Sequence, residues 1–206
     1  MKIIKPSFEI LTLIESDLIL KRIEVAGRTC YKSEDRITTE SAISFVRSII
    51  SRGHESVLEH QSITVKFICD RGVSHELVRH RLASFSQEST RYCNYSKDKF
   101  NNELTFIDIK PFINAAQYND WLNAMSAAEN MYMVQMALGC PPQIARSVLP
   151  NSLKTEIVVT ADLREWRLIF KQRTAPAAHP QMRELMVPLL AKLQILVPVI
   201  FDDINN

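Results

Sequence analysis

The stretch Arg79-His80-Arg81-Leu82-Ala83-Ser84-Phe85-Ser86-Gln87-Glu88-Ser89-Thr90-Arg91-Tyr92 gathers three arginines, a histidine and several hydroxyls. Guanidinium forks match phosphate oxygens two at a time, so this mixture suits a phosphorylated ligand. A solvated helix end is the plain alternative. Asp70-Arg71-Gly72 turns the chain into a helix that is expected to carry Arg79, His80 and Arg81. At 100° per residue, Arg79 and Arg81 then point about 200° apart, and one helix cannot aim both at a single small ligand. If both bind, they serve different groups or different subunits. A dinucleotide plus a nucleotide monophosphate would supply phosphates enough for the two.

Arg173 is a second candidate. Trp166, Ile169 and Phe170 define the apolar face of a helix over 163–173, and Arg173 takes the next position of that stripe. A cation aimed inward is either a snorkelling residue at a helix C-terminus, where it suits the dipole, or a group meant for a ligand. Other chemistries fit less well. His54 and His60 are six apart and would diverge by about 240° on a helix, unlike the one-turn spacing of a zinc helix, so no metal site is expected. Cys30, Cys69, Cys93 and Cys140 form no C-x-x-C pair and read as reduced, mostly structural thiols. Cys140-Pro141 lacks an adjacent base, and Ser89 lacks a nucleophile elbow, so neither is read as a nucleophile. Four glycines, at 27, 53, 72 and 139, make no glycine-rich phosphate loop.

Arg79-His80-Arg81, seven residues, then Ser89 resembles the hallmark of the flavin-dependent thymidylate synthases, and Ser84 with Arg91-Tyr92 extends it. Further stretches agree in order and spacing: Gly53-His54-Glu55-Ser56 with Glu59-His60, Ala145 to Pro150, Thr155-Glu156, Leu163-Arg164-Glu165-Trp166, and Arg173 before His179-Pro180-Gln181-Met182-Arg183. The similarity runs from about Gly27 to Leu190. It implies methylation of dUMP to dTMP, FAD as cofactor, methylene-tetrahydrofolate as carbon donor, NADPH as reductant, and a homotetramer whose active sites are shared between subunits. By the same resemblance, dUMP would meet Glu76, Arg79, Gln87, Ser89, Arg91, Arg146 and Arg173, with Arg173 activating the uracil ring. FAD would meet His54, Ser56, Arg79, His80, Arg81, Gln87, Asp162, Arg164 and His179. Glu76 stands where many members carry Gln, and Asp162 where many carry Asn. An ionised carboxylate only accepts, so the amide's donor is lost at both positions.

These residues need a scaffold that holds them. At 206 residues the chain suits one domain, 1–206, with a single buried core. Strands are expected in 2–14, 62–69, 104–109 and 155–160. Helices are expected from Ser16-Asp17 to Gly27, from Thr38-Thr39-Glu40 to Gly53, over 115–138, from Pro141-Pro142 to near Pro150, over 163–173, and from Pro180 onward with breaks at Pro188 and Pro198. Residues 84–97 read as irregular or extended, and 202–206 as a frayed end. The class is α+β, with a central mixed or antiparallel sheet flanked by helices. No run of 18 apolar residues and no signal-peptide pattern is present, so a membrane partner is not expected and a cytoplasmic location is. A nucleic-acid-binding module using the Arg-rich segment 71–91 is the competing reading, and the formal net charge of +2 speaks against it.

Overall fold

The computed structural model describes residues 1–205, and Asn206 lies outside the described residues. The chain forms two compact units. The first is built from Met1–Ser7, Phe67–Arg79 and Phe85–Val158, the second from Phe8–Lys66, His80–Ser84 and the chain from Val159 onward. Strands β3 (Ser62–Asp70), β4 (Ala83–Gln87) and β6 (Lys154–Asp162) each begin in one unit and end in the other, and with β2 (Ser7–Ile10) they form a sheet of order β2-β3-β6-β4. β3 and β6 are strands because every second residue is apolar. Ile63, Val65, Phe67 and Cys69 on one and Ile157, Val159 and Ala161 on the other are buried, while the residues between are less so.

In the first unit, β1 (Lys2–Ile4) runs parallel to β5 (Thr105–Ile107). Helix α4 (Ala115–Ala137) starts from a capping box, in which Asn114 accepts from the Gln117 amide and Gln117 accepts from that of Asn114, and Gly139 follows it with φ +82°. Leu104, Phe106, Met125, Tyr132 and Leu153 make the core of this unit. The short helices α3 (Arg71–Leu77) and α5 (Pro142–Ala145) complete it. In the second unit, helices α1 (Ser16–Thr29), α2 (Ser41–Ser51), α6 (Leu163–Arg173) and α7 (Pro180–Leu196) bury apolar faces. Trp166 stacks on Phe170, Phe170 meets Phe201 edge-on, and the Trp166 indole N–H donates to the Ile63 carbonyl at 2.9 Å. Among the described residues no helix is long and apolar enough to cross a membrane.

The α+β class stands as expected, and α6 has the expected bounds. Several elements differ. Residues 2–14 hold two strands in two sheets, because Lys5-Pro6 interrupts the ladder. Residues 83–87 form β4, so the start of the stretch read as irregular or extended from 84 is extended. Helix α1 passes Gly27 to reach Thr29, and Ser16 is its first residue rather than a side-chain cap. Helix α7 continues through Pro188, since Leu185, Met186, Leu189 and Leu190 around it are all buried and offset one missing hydrogen bond. Within 202–206, read as a frayed end, Asp203 and Ile204 are tied down, and Asn206 lies outside the described residues. Arg167 holds Asp203 through both carboxylate oxygens at 2.6 and 2.7 Å, Ile204 is buried, and Gln194 donates to the carbonyls of Phe201 and Ile204.

Helices α1 and α2 approach closely at Gly27. A Cβ added there would lie 2.7 Å from the Phe45 ring, which Arg28 also covers at 4.7 Å. Gly27→Ala gains about 1 kcal/mol of helix propensity, but forcing the ring aside costs about 1–3 kcal/mol. The expected net result is a lower unfolding midpoint in urea. A raised midpoint would show that the two helices are not held at this distance.

Candidate active site

β3 and β6 end in junctions of the same kind, one in each unit. β3 ends at Asp70, whose carboxylate accepts from the Val73 amide at 2.6 Å and starts α3. β6 ends at Asp162, whose carboxylate accepts from the Glu165 amide at 2.8 Å and starts α6. Aspartate suits an N-cap because its oxygen satisfies an amide that has no helical partner. At Asp162 the acceptor is what the backbone uses, and the missing amide donor does not affect this role.

Helix α3 stops at Leu77, so Arg79, His80 and Arg81 are not helical and the expected 200° divergence does not apply. The chain leaves the helix in a turn, with the Arg79 amide donating to the Glu76 carbonyl, and the three residues part by burial instead. Arg79 and Arg81 are exposed, while His80 is 5% exposed.

His80 joins the second unit between two groups of α6. Its Nε2 accepts from Arg173 Nε at 3.0 Å, and its Nδ1 lies 3.3 Å from Glu165 Oε1. Burial, and then the Arg173 charge, lower the imidazole pKa to about 4. His80 is therefore neutral at neutral pH, with Nε2 as acceptor. Burial, and then the charge of Asp162, raise the Glu165 carboxyl above its ordinary value. Beside this group a cavity of about 390 Å³ is lined by Glu59, Leu82, Asp162, Arg164, Glu165 and Leu168 among others. At its rim Arg164 and Glu59 pair at 2.5 Å, both about half exposed.

His54 and Ser56 lie in the same unit. With Gly27, Tyr31 and Val57 they line a cavity of about 260 Å³. His54 also borders one of about 450 Å³ lined by Arg28, Arg36, Arg52, Tyr31 and Phe45. His179 sits exposed at the start of α7 and makes no side-chain cap.

The first unit collects a separate group. The Arg91 amide donates to Ser89 Oγ at 3.3 Å, the Arg91 guanidinium donates to Gln143 at 3.3 Å, and Arg146 donates to Thr90 Oγ1 at 3.4 Å. Ser89, Arg91 and Arg146 are thus neighbours across a long stretch of sequence. Gln87 points elsewhere. Its amide donates to Ser74 at 2.8 Å and Thr155 at 3.2 Å, so its donor is held within the unit. Glu76 is half-buried on α3.

The thiols stay free, and Cys69 is pushed up to about 12, by burial before the charge of Asp70. Glu165 is the residue that reading the sequence missed. The signal was its place eight residues before Arg173, on the ridge shared with Ile169.

With this geometry in view, the comparisons agree. The family model described as Thymidylate synthase complementing protein matches residues 12–199. A flavin-dependent thymidylate synthase of Geobacter sulfurreducens is 34% identical over 190 residues, covering 88% of this chain and 80% of that one. A probable flavin-dependent thymidylate synthase of Mycobacterium phage D29 is 35% identical over 191 residues, covering 88% and 81%. A UMP/dUMP methylase, PolB from Streptomyces cacaoi bound with 5-Br dUMP, superposes with a TM-score of 0.77 at 22% identity, covering 98% of this chain and 96% of that one. The family model and these relatives together define a flavin-using enzyme. The chain belongs to the family of the flavin-dependent thymidylate synthases. FAD goes with that family, and the nucleic-acid-binding alternative is set aside.

His80 also gives a pH dependence. Its pKa is lower folded than the ordinary 6.5, so the unfolded chain binds the proton more readily between pH 6.5 and about 4. Stability should therefore fall as pH drops through that window, by on the order of 3 kcal/mol for the whole shift. In urea titrations at pH 7, 6 and 5, His80→Gln should lose less stability on acidification than the parent. Equal slopes for the two proteins would show that His80 does not titrate this way.

Proposed function

We propose that this chain methylates dUMP to dTMP, with methylene-tetrahydrofolate as carbon donor and NADPH as reductant. The observation that carries the reading is a cation on the inward ridge of α6, whose Nε is held by a neutral imidazole. A guanidinium fixed beside a uracil edge stabilises the negative charge that develops as N3 loses its proton, and this polarises C5 for attack. Arg173 takes that role.

Ser89, Arg91 and Arg146 are the assigned grip on the nucleotide phosphate, since two guanidinium groups and a hydroxyl lie close together there. Arg79 joins them as an exposed arginine, with Glu76 and Gln87 assigned to dUMP through the family resemblance. For FAD, Arg36 and Arg52 of the 450 Å³ cavity suit a pyrophosphate, and Tyr31 suits a flat ring. His54, Ser56, His80, Arg81, Asp162, Arg164 and His179 are assigned to the same cofactor. Reduced flavin supplies the hydride for the new methyl group. The protein's part is to orient the two ligands, hold the phosphates and place the Arg173 charge.

The whole of 1–206 is taken as one functional domain, acting in the cytoplasm as a homotetramer with shared active sites. The support for sharing is the family resemblance carried by Arg79-His80-Arg81 and Ser89. Light scattering at assay concentration should give the mass of four chains, and a fully active monomer would exclude the shared arrangement.

Removing one aimed electrostatic group costs about 2.7–4 kcal/mol, a hundredfold to a thousandfold in rate. Arg173→Ala should lose that much dTMP formation while retaining FAD and its visible absorbance band. Arg173→Lys should recover only part, because an ammonium keeps the charge without the planar fork. Measuring turnover, dUMP affinity and bound flavin in parallel separates the roles. An Ala variant that sheds FAD, yet turns dUMP over normally in the remaining holoenzyme, would make Arg173 a flavin anchor.

A further inference from the structure

Glu165 is 4% exposed in the first turn of α6, close to another acid, Asp162. An acid in a first turn suits the helix dipole, but that benefit is available at the surface and does not call for burial. A buried carboxylate needs hydrogen-bond or charge partners. The neighbouring Arg164 is turned outward to Glu59, and the group facing Glu165 is the Nδ1 edge of His80, at 3.3 Å.

The other edge of that ring matters just as much. A neutral imidazole carries one proton, and whichever nitrogen lacks it is the acceptor. Arg173 Nε–H points at Nε2, so the contact at 3.0 Å is a hydrogen bond only if the proton sits on Nδ1. With the proton on Nε2, two donors would face each other. Glu165, Ile169 and Arg173 lie at i, i+4 and i+8, about 12 Å along the helix from first to last. The Arg173 side chain runs back toward the N-terminus of α6, as helical side chains do, and meets the ring that Glu165 holds from the other end.

We infer that Glu165 is a positioning residue for Arg173, acting through His80: its carboxylate keeps the proton on Nδ1, which makes Nε2 the acceptor that orients the guanidinium. No group changes its charge in this arrangement. Glu165 selects the tautomer, His80 transmits it, and the Arg173 guanidinium is held in one fixed direction. The low pKa of His80 is consistent with a ring that stays neutral. The inference rests on Arg173 acting at the pyrimidine, and its test separates the two.

The probe is nitrogen-15 NMR of the holoenzyme labelled at histidine, which reads the tautomer of His80, alongside dTMP kinetics and FAD content. His80→Gln identifies the His80 signals. Glu165→Gln keeps one acceptor oxygen and Glu165→Met keeps none. The parent should show Nδ1 protonated and Nε2 bare. The Met variant should raise the share of rings protonated on Nε2, with the guanidinium turned away from them, and the Gln variant should fall between. Loss of a supporting contact of this kind costs about tenfold to a hundredfold. That loss should appear in kcat, graded Glu above Gln above Met, with KM for dUMP and FAD content near the parent's. Glu165→Asp should restore part of both signals.

An unchanged tautomer, or kcat within twofold of the parent in a folded Gln or Met variant, overturns the inference. If the Met variant fails to fold, the Gln variant carries the same test. A graded tautomer response in a parent that forms no dTMP overturns the assigned reaction and leaves the Glu165–His80–Arg173 relay standing.

Discussion

The two aspartates that end β3 and β6 set the geometry on which the chemistry depends. Each strand is fixed in register by a buried apolar row, and each Asp fixes where the following helix begins. Starting a helix one residue earlier or later rotates every side chain by 100° about its axis. With α6 begun at Leu163, Trp166, Ile169 and Phe170 face the core, and Glu165 and Arg173 fall on the same side. A cap that contributes about 1 kcal/mol to stability thus fixes the direction of a charge eleven residues away.

Buried charge in the second unit follows one rule. Glu24 is 1% exposed and takes hydrogen bonds from Arg28 at 2.7 Å and Ser41 at 2.9 Å. Arg167 is 1% exposed and meets Glu55, Asp203 and the Ile200 carbonyl. Glu165 has its imidazole. Each ion is held by a partner from a distant part of the sequence, so these contacts specify which segments come together as well as repaying desolvation. In the first unit, Lys154 bridges Glu88 and Glu156, and Glu88 also accepts a hydrogen bond from the Tyr95 hydroxyl.

What the sequence revealed depended on periodicity. β3, β6 and α6 could be read because alternation or a helical stripe ran long enough to be unambiguous, α4 because it is rich in the helix formers Ala and Met, and Gly53 and Gly139 marked helix ends with φ of +71° and +82°. The end of α3 could not be read. His75 to Arg81 contains no proline or glycine, the residues that would mark a helix end after Leu77. The site was half legible. Arg173 stood out as a charge on an apolar stripe, whereas Glu165 looked like an ordinary first-turn acid. Arg167 gave no signal, since its neighbours on the helix do not reveal that Asp203 waits far along the chain.

That last contact bears on how the chain emerges from the ribosome. Helix α6 is complete once Arg173 has been made, yet the guanidinium at its centre stays short of partners until residues 200 to 203 arrive. During that interval, docking α6 into its core would bury a cation held only by Glu55. The helix is therefore better left undocked until residues 200 to 203 have been made, and those residues act as the latch that lets it settle into the second unit.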